Sequence, residues 1–408
     1  MKKEMRFDSS TSEYSKSLFK ERNSSYYTIV SPYNFVYTMQ GFKKINELSS
    51  QDLVLGIEEP SGKLAWGKFI VEPFKEKLSL IKITSDRNEI SLSSHTLIRT
   101  INEKGSLPIK AENVRIGNVL EMKIIEEIPS AKLFSDHKAS LKVPNSGDIK
   151  IPVNEHIAYL LGVLNNVVKS LPNTLAIKIW GTYDEILHYA EIINEILCKT
   201  IDLMQKQYAV RWDYPAEIRF EEGPRYSWLI IFFHEEIPIC FHNLLSYGAQ
   251  GIVPRTIRLT EERIIKEYIA GIIDVGIEFD ERWKTFRIPF LPYQSEIRRF
   301  LLDYLNLWKV YTIITKLSSP FNPWETSVYI DLREIERKCC MPFKRLLTRQ
   351  AAELDTSEFF KQSTFYPKVR SKITELSESI RIHNPNLLWK PLVEWIAVSY
   401  THLTLPTN

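Results

Sequence analysis

Apolar residues recur at helical spacing in one stretch of the chain, residues 261–280, with the sequence EERIIKEYIAGIIDVGIEFD. The positions that share this spacing are Ile264, Ile265, Tyr268, Ile269, Ile272 and Ile273. Such a pattern predicts a helix with one apolar face. Ala270 and Gly271, in its middle, have almost no side chain, so the backbone of a second helix can approach closely there. We therefore expect this helix to pack against another helix.

A second stretch, residues 156–170 with the sequence HIAYLLGVLNNVVKS, repeats the apolar spacing and has Gly162 in its middle. Each stretch precedes the same order of predicted elements, namely a strand, a helix and two strands, and a further helix follows in the second case. The elements after the first helix are strand 174–180, helix 183–199, strands 205–212 and 228–233; those after the second are strand 283–290, helix 293–305, strands 308–316 and 326–332, and helix 334–347. This internal repeat predicts two related units, residues 153–250 and 251–350.

The region before this repeat has a different pattern. Short β-rich runs, separated by turn residues every ~8–12 positions, predict a compact all-β domain over residues 29–128. The flanking segments are predicted to be a flexible polar arm (1–28), a linker rich in Pro, Ser, Lys and Gly (129–152) and a helical C-terminal segment (351–397). Residues 398–408, VSYTHLTLPTN, look like a translated sequencing-library adapter, and we expect them to be an artefact.

The decapeptide YIAGIIDVGI resembles the LAGLIDADG (DOD-type) motif of homing endonucleases, and residues 156–170 resemble a second, poorer copy. This resemblance implies an α+β protein in which two pseudo-symmetric αββαββα half-folds form a saddle on double-stranded DNA. It also implies that the two motif helices meet at Gly162, Ala270 and Gly271. A monomer with an internal pseudo-two-fold axis is expected.

In that family, each motif helix ends with an acidic residue that helps to hold Mg²⁺ at the scissile phosphates, because Mg²⁺ prefers carboxylate oxygens. The resemblance places Val167 and Gly276 at these two positions. We therefore expect double-strand cleavage to be weak or lost. The alternative is an active Mg²⁺-dependent endonuclease that uses Asp274 and a displaced acid. Glu278 and Asp280, just past the second helix, are interpreted as solvated loop acids; the alternative is a shifted register that brings one of them inward.

The β-rich region resembles the N-terminal part of a Hint (intein) domain. The matching residues are Val36, Thr38, Gly41, Ile45, Leu48, Asp52, Val54 and Leu55, followed by Leu92, Ser93, Ser94 and His95, and then by Ala111, Val114, Gly117, Asn118 and Val119. The order of the parts is similar to the fungal branch that joins Hint and LAGLIDADG parts, which includes the vacuolar-ATPase intein and the yeast mating-type-switching endonuclease.

Self-processing in the Hint family begins with a Cys or Ser nucleophile at the first position, assisted by a histidine. The resemblance places Ile29 at the nucleophile position, and its side chain cannot attack a peptide bond. His95 occupies the position of the assisting histidine. The alternative interpretation is that His95 is an ordinary strand histidine. A Hint-type self-processing protein is therefore a further alternative that we do not favour, and the β domain is expected to be a retained scaffold.

Contact with DNA is expected from the strands of the two half-folds, where alternation places one set of side chains on a shared face. The candidates are Lys178, Trp180, Gln207, Arg211, Lys284, Arg287, Lys309 and Tyr311. The net charge of +3 is too small to indicate nucleic-acid binding by itself, so any basic surface must arise from local arrangement.

Composition limits the remaining possibilities. The chain has 408 residues, of which 44% are hydrophobic, and no apolar run long enough for a transmembrane helix, so we expect an intracellular protein, nuclear if the source is eukaryotic. Cys198 and Cys240 stand alone, whereas Cys339 and Cys340 are adjacent. This spacing does not suit a tetrahedral zinc site, so no structural metal is expected, and Mg²⁺ is expected only if the protein cleaves DNA.

Overall fold

The structure is a computed structural model of the 408-residue chain, which divides into two compact units. Unit 1 comprises Met1–Ser135 with Ser363–Asn408, and unit 2 comprises Asp136–Gln362. The residues that the structure describes are 2–7, 28–30, 34–58, 63–74, 80–85, 89–102, 105–115, 118–123, 140–142, 150–171, 174–208, 216–222, 227–233, 251–310, 312–316, 326–356 and 393–404.

The described residues of unit 1 are mainly β-strands. They are β1 (Lys2–Phe7), β2 (Thr28–Val30), β3 (Phe35–Thr38), β4 (Gly41–Lys44), β5 (Val54–Glu58), β6 (Lys63–Gly67), β7 (Phe69–Phe74), β8 (Leu80–Ser85), β9 (Glu89–Ser93), β10 (Leu97–Asn102), β11 (Gly105–Lys110), β12 (Val119–Lys123) and β23 (Val393–Thr404). Two short 3-10 turns, Ile45–Glu47 and Ala111–Asn113, interrupt them. The strands form a nine-stranded sheet in the order β11-β10-β12-β23-β8-β9-β2-β1-β7 and a four-stranded sheet in the order β4-β3-β5-β6.

The core of unit 1 brings together apolar residues from several of these strands and both turns: Ile45, Val54, Ile81, Ile83, Leu92, Ala111 and Val114. Several of them are residues that match the Hint pattern in the sequence. A buried ion pair lies beside this core, since Lys43 Nζ is 2.5 Å from Asp52 Oδ1. Burial alone would raise the pKa of Asp52, but hydrogen bonds from Lys43 and Ser49 outweigh it and leave that pKa below its ordinary value.

Two predictions at the ends of the chain are wrong where the structure describes the residues. Part of the predicted flexible arm, Lys2–Phe7, is strand β1, which pairs with β2 and β7. Residues 393–397, predicted to be helical, begin strand β23, which runs to Thr404 between β12 and β8. Both errors have one cause: strands depend on ladder partners distant in sequence, which local periodicity does not reveal. The origin of residues 398–408 stays a prediction.

Unit 2 contains both helices and strands. The helices are α1 (Glu155–Val163), α2 (Tyr183–Tyr208), α3 (Arg255–Arg258), α4 (Glu262–Gly276), α5 (Ser295–Leu307), α6 (Leu332–Cys339) and α7 (Leu346–Glu353). The strands are β13 (Ser140–Lys142), β14 (Lys150–Pro152), β15 (Val167–Leu171), β16 (Thr174–Ile179), β17 (Ala216–Glu222), β18 (Ser227–Phe233), β19 (Glu278–Asp280), β20 (Thr285–Phe290), β21 (Thr312–Lys316) and β22 (Thr326–Ile330). Within the described residues, no helix combines the length and the apolar composition needed to cross a bilayer.

Two antiparallel four-stranded sheets in unit 2 have the same connectivity. One has the order β15-β16-β18-β17 and follows α1; the other has the order β19-β20-β22-β21 and follows α4. In each sheet the first two strands form a hairpin, a helix follows, and the last two strands complete the sheet. The repeated order of elements in the sequence therefore corresponds to a repeated sheet topology.

Several element boundaries differ from the prediction. Helix α2 continues to Tyr208, so the strand predicted at 205–212 is helical at its start. The predicted linker contains the short paired strands β13 and β14. The helix predicted at 334–347 is two helices, because Cys340 adopts a left-handed conformation with φ of 49° and ends α6. Pro342, two residues after Cys340, is a local signal for this helix end that the apolar pattern did not use.

Candidate functional site

Helices α1 and α4 approach each other at two glycines. A Cβ atom added to Gly162 would overlap the carbonyl oxygen of Tyr268 and lie 3.0 Å from Gly271 Cα. A Cβ atom added to Gly271 would overlap the carbonyl oxygen of Tyr159 and lie 2.9 Å from Val163 N. Because backbone atoms cannot move aside as a flexible side chain can, only glycine fits at either position. The sequence prediction that Gly162 and Gly271 meet in a helix pair corresponds to this contact, and Ala270 beside them is fully buried.

Reciprocal hydrogen bonds flank the glycine contact. The hydroxyl of Tyr159 in α1 donates to Asp274 Oδ2 in α4 at 2.7 Å. At the other end of the contact, Asn165 Nδ2, just after α1, donates to the hydroxyl of Tyr268 in α4 at 3.0 Å. The interval in sequence from Tyr159 to Tyr268 is the same as that from Asn165 to Asp274. A tyrosine and a short polar residue, three positions before and after each glycine, therefore form matching pairs across the interface.

Asp274 is fully buried inside this helix pair. Besides Tyr159, its Oδ2 accepts hydrogen bonds from the backbone N–H groups of Lys344 at 2.8 Å and Arg345 at 3.2 Å. Burial raises the pKa of Asp274 above its ordinary value, and these hydrogen bonds oppose the shift. The carboxylate thus binds the segment after α6 to the end of α4, and its bonded oxygen faces backbone and phenol groups of the protein.

Arg345 joins three elements at the end of α4. Its guanidinium is fully buried and pairs with both carboxylate oxygens of Glu185 in α2, at 2.7 and 2.8 Å. It also donates to the carbonyl oxygen of Asp274 at 2.7 Å and to that of Trp180. Gly181 leaves room for this pair, because a Cβ atom there would lie 2.6 Å from Arg345 Nη2. Arg345 therefore binds a carbonyl that the last turn of α4 leaves unpaired and connects it to the first residues of α2.

The end of α1 is bound in a corresponding but simpler way. Gln294 Nε2 donates to the carbonyl oxygen of Asn165 at 2.6 Å. Gln294 precedes α5. In the repeat, Gln294 corresponds to Glu185 and Asn165 corresponds to Asp274, so the two contacts are equivalent. One helix end is thus bound directly by an amide, whereas the other is bound by a carboxylate through Arg345. The spacing Y-x-x-G-x-x-N/D in residues 159–165 and 268–274 was a signal for these pairs, but nothing local indicated Arg345.

The residues at the predicted acid positions do not fit a Mg²⁺ ion. Val167 is the first residue of β15, and Gly276 is the last residue of α4. Neither side chain has an oxygen atom, whereas Mg²⁺ requires carboxylate or comparable oxygen ligands. Asp274 is turned towards the backbone N–H groups described above. Within the described part of the chain, no group of three or more His, Cys, Asp or Glu side chains is arranged to hold a metal ion.

Glu278 is a buried member of a charged cluster rather than a solvated loop acid, so that interpretation is wrong. It begins β19 and is 7% exposed. Its Oε1 lies 3.5 Å from Lys178 Nζ on β16, and its Oε2 lies 3.4 Å from Arg287 Nη2 on β20. Arg287 also donates to Ser327 Oγ at 2.9 Å. Two residues predicted to contact DNA, Lys178 and Arg287, thus lie on either side of one carboxylate.

Asp280 also belongs to this cluster and is half-buried. Its Oδ2 accepts a hydrogen bond of 2.7 Å from the hydroxyl of Tyr329 and lies 3.9 Å from Arg287 Nε. The interpretation of Asp280 as a solvated acid is therefore also incorrect. Formation of β19 explains both errors, because a strand paired with β20 places these acids against the neighbouring sheet residues.

The other predicted DNA contacts are dispersed. Trp180 follows β16 and is half-buried. Gln207 lies in α2, not on a strand. Lys284 is in the turn between β19 and β20, where it has φ of 50° and lies 2.7 Å from Glu281. Lys309 is exposed in the turn after α5, and its carbonyl oxygen accepts a hydrogen bond from Lys338. Arg211 and Tyr311 lie outside the described residues.

The Hint-type candidates in unit 1 lie in β2 and just after β9, two strands that pair at Val30 and Leu92. Ile29 is the middle residue of β2 and pairs with Glu4 of β1. His95 lies in the exposed turn between β9 and β10, with its Nδ1 3.8 Å from Glu112 Oε1. Gly117 lies outside the described residues. The setting of His95 is thus a surface turn with an acidic neighbour.

No protein-family model matches this chain, and no curated protein matches it either. Among solved structures, it is similar to I-DmoI in complex with DNA and Ca, with 18% identity over 45% of this chain and 87% of that chain and a TM-score of 0.30. It is also similar to full-length WhiA from Thermatoga maritima, with 12% identity over 57% of this chain and 68% of that chain and a TM-score of 0.30. The N-terminal LAGLIDADG domain of WhiA has 12% identity over 51% of this chain and 89% of that chain, with a TM-score of 0.25. At these identities and TM-scores the similarities carry no argument about function.

Proposed function

We propose that unit 2 is a LAGLIDADG-type DNA-binding protein in which two pseudo-symmetric half-folds bind one long site on duplex DNA as a monomer. The observation that carries this proposal is the contact of Gly162 with Gly271 and its reciprocal hydrogen bonds. A helix pair of this kind relates the two halves of the repeat, and each helix leads directly into a four-stranded sheet of the same order.

Antiparallel sheets are suited to this role because they can pack one face on helices and present the other to a ligand. Strand β20 has one buried face and one open face. Phe286, Ile288 and Phe290 are buried on the first, whereas the cationic residue Arg287 points to the second. Lys178 on β16 has the corresponding place in the first sheet. Cationic side chains on such a face neutralise phosphates, which is the main source of affinity for duplex DNA.

We further propose that cleavage is weak or absent. Hydrolysis of a phosphodiester at a metal centre requires ligands that hold the ion and the water it activates. Val167 and Gly276 cannot supply them, and the carboxylate of Asp274 is used within the protein. The protein would therefore bind its DNA site without cutting it.

Binding is tested with the purified full chain and a randomised duplex library. Recovered DNA should be enriched in one long site, and the affinity for that site should fall as salt rises, by ~0.9 in log K per unit of log salt for each neutralised phosphate. A chain that enriches no sequence and shows no salt-dependent binding would not be a DNA-binding protein of this class.

Cleavage is tested on the enriched site with Mg²⁺ and with Mn²⁺. We expect intact DNA. Cut ends that disappear with Asp274→Ala, while that variant still binds the site, would instead identify the active endonuclease considered in the sequence analysis. The double change Val167→Asp with Gly276→Asp should introduce metal binding, measured by calorimetry, if these residues occupy the acid positions.

For unit 1, we propose a Hint-type scaffold of intein origin that does not process itself, because Ile29 offers no nucleophile. The protein would act in the nucleus if its source is eukaryotic. Mass spectrometry of the expressed chain should give the mass of an uncut polypeptide. A break immediately before Ile29, or before Ser31 if the register is shifted by two residues, would overturn this proposal.

A further inference from the structure

Glu278 lies between two cations that come from different sheets. Lys178 belongs to β16 in the first sheet, and Arg287 belongs to β20 in the second. Each cation approaches a different oxygen of the carboxylate, at 3.5 and 3.4 Å. The side chains of Lys178 and Arg287 are nevertheless 28% and 19% exposed, so solvent and ligands can reach them. One buried anion is thus shared by two accessible cations.

We propose that Glu278 occupies, in the free protein, the place of a DNA phosphate. Lys178 and Arg287 would release Glu278 and bind backbone phosphates when duplex DNA arrives. This inference rests on the proposed DNA-binding function and concerns how strongly that surface binds. It identifies Glu278 as a residue that limits affinity, although it makes no contact with DNA itself.

The chemistry of the two anions supports such an exchange. A backbone phosphodiester carries one negative charge, as a carboxylate does, and both accept hydrogen bonds from ammonium and guanidinium groups. Strong charge-assisted hydrogen bonds have lengths of about 2.7–2.9 Å. The separations at Glu278 are longer, so neither cation makes its strongest hydrogen bond there.

Arg287 has neighbours that keep its side chain in place during the exchange. Ser327 Oγ accepts from its Nη1 at 2.9 Å, and Asp280 lies 3.9 Å from its Nε. Asp280 is itself fixed by the hydroxyl of Tyr329. Because the guanidinium is planar and rigid, these contacts hold Nη2 where it meets Glu278, and a phosphate that replaces Glu278 meets it at the same place.

The exchange has a measurable consequence. Each phosphate contact made by Lys178 or Arg287 replaces a contact with Glu278, so part of its energy is lost. When Glu278 is neutralised, neither cation gives up a carboxylate contact on binding, so the affinity for DNA should rise. The same phosphates are neutralised with and without Glu278, so the slope of log K against log salt should stay within about one unit of the wild-type value.

The test compares Glu278→Gln with Glu191→Gln in the full chain. Glu191 is exposed on α2, so its substitution changes the net charge equally without touching the cluster. Binding of the enriched duplex is measured over a series of salt concentrations. We expect Glu278→Gln to bind roughly tenfold more tightly and to keep a salt slope within about one unit of the wild-type value. We expect Glu191→Gln to change the affinity less than twofold.

Three outcomes decide the matter. Equal gains in both variants would mean that only net charge counts, and the inference would fail. An unchanged or weaker affinity for Glu278→Gln, with a melting temperature near that of the wild type, would also refute it. If the wild-type chain enriches and binds no duplex at low salt, the proposed function fails instead, which is a distinct result.

A second variant covers the case in which Glu278→Gln does not fold. Lys178→Gln removes one cation and leaves Glu278 with Arg287. If Lys178 transfers to a phosphate, this variant should lower the salt slope by about one unit. If Lys178 serves only to pair with Glu278, the slope should equal that of the wild type, and the inference would be rejected.

Discussion

The hydroxyl of Tyr159 donates a 2.7 Å hydrogen bond to the carboxylate of Asp274, from one helix of the central pair to the other. Both side chains are fully buried. Burial, followed by the nearby negative charge of Asp274, raises the pKa of Tyr159 well above its ordinary value, so it acts as a neutral donor. The stability of the helix pair depends on this hydrogen bond and on its counterpart in the repeat, the bond between Asn165 and Tyr268.

Removal of the two tyrosine hydroxyls should have unequal effects. Tyr159→Phe removes a donor from a buried carboxylate, which should cost about 2–3 kcal/mol in the free energy of unfolding. Tyr268→Phe removes the partner of the neutral Asn165, which should cost about 1 kcal/mol. Urea denaturation of both variants measures the difference. Equal losses would show that the charge of Asp274 does not contribute.

Asp274→Asn should change the pH dependence of stability. The pKa of Asp274 is raised in the folded state, so the ionised carboxylate lowers stability at neutral pH, and this cost disappears as the pH falls through the raised pKa. The variant lacks the ionisable group. We therefore compare the free energy of unfolding of Asp274→Asn with that of the wild type. The difference should favour the variant most at neutral pH, and this advantage should decrease as the pH is lowered to about 4.

The control for this experiment is Asp184→Asn, which alters an exposed carboxylate at the start of α2. The difference between this variant and the wild type should vary less over the same pH range. If Asp274→Asn instead lost stability relative to wild type most strongly at neutral pH, the hydrogen bonds would outweigh burial and the pKa of Asp274 would be lowered.

Alanine should not be tolerated at either central glycine. Gly162→Ala and Gly271→Ala each place a methyl group against a backbone carbonyl of the facing helix, so the helices must separate. We expect each to lower the free energy of unfolding by about 3 kcal/mol. Thermal denaturation measures this loss. Glu262→Ala, on the exposed surface of α4, should have little effect, and comparable values for all three would contradict the close helix contact.

Arg345→Met should be among the most destabilising single changes in unit 2. It leaves the carboxylate of Glu185, which is 11% exposed, without its bidentate partner, and loss of one member of a buried pair costs about 3–5 kcal/mol. By comparison, Arg333→Met breaks an exposed pair with Asp355 and should cost at most about 1 kcal/mol. Chemical denaturation distinguishes the two.

A double variant separates loss of the pair from loss of packing. Glu185→Gln combined with Arg345→Met removes both charges, so it should be less destabilised than the sum of the single changes. Additive losses would mean that the ion pair itself contributes little, and that Arg345 stabilises the fold through its bonds to the carbonyl groups of Trp180 and Asp274.

Sequence reasoning was effective for the repeated part of the chain. The apolar spacing and central glycines indicated α1 and α4, and the alternation of strand and helix patterns indicated the two sheets. It was less effective for strands that pair over long distances, such as β1 and β23. A helix encodes its apolar face within a few neighbouring residues, whereas a strand at the edge of a unit depends on a partner elsewhere.

The candidate site shows the same division between local and distant information. The absence of acids at Val167 and Gly276 is evident from residue types alone. The pairing of Lys178 with Glu278 and that of Arg345 with Glu185 are not evident from residue types. Each pair joins residues far apart in sequence, and their side chains meet only when β16, β19 and α2 are in place.

The sequence by itself determined that a glycine-centred helix occurs twice and that the predicted acid positions after the two helices lack carboxylates. Only the tertiary structure decided which charges are paired: it buried Glu278 between Lys178 and Arg287 and placed Arg345 against the end of α4. The physical reason is that helix periodicity is a local property of the chain, whereas the pairing of a charge depends on the distance and burial that packing imposes.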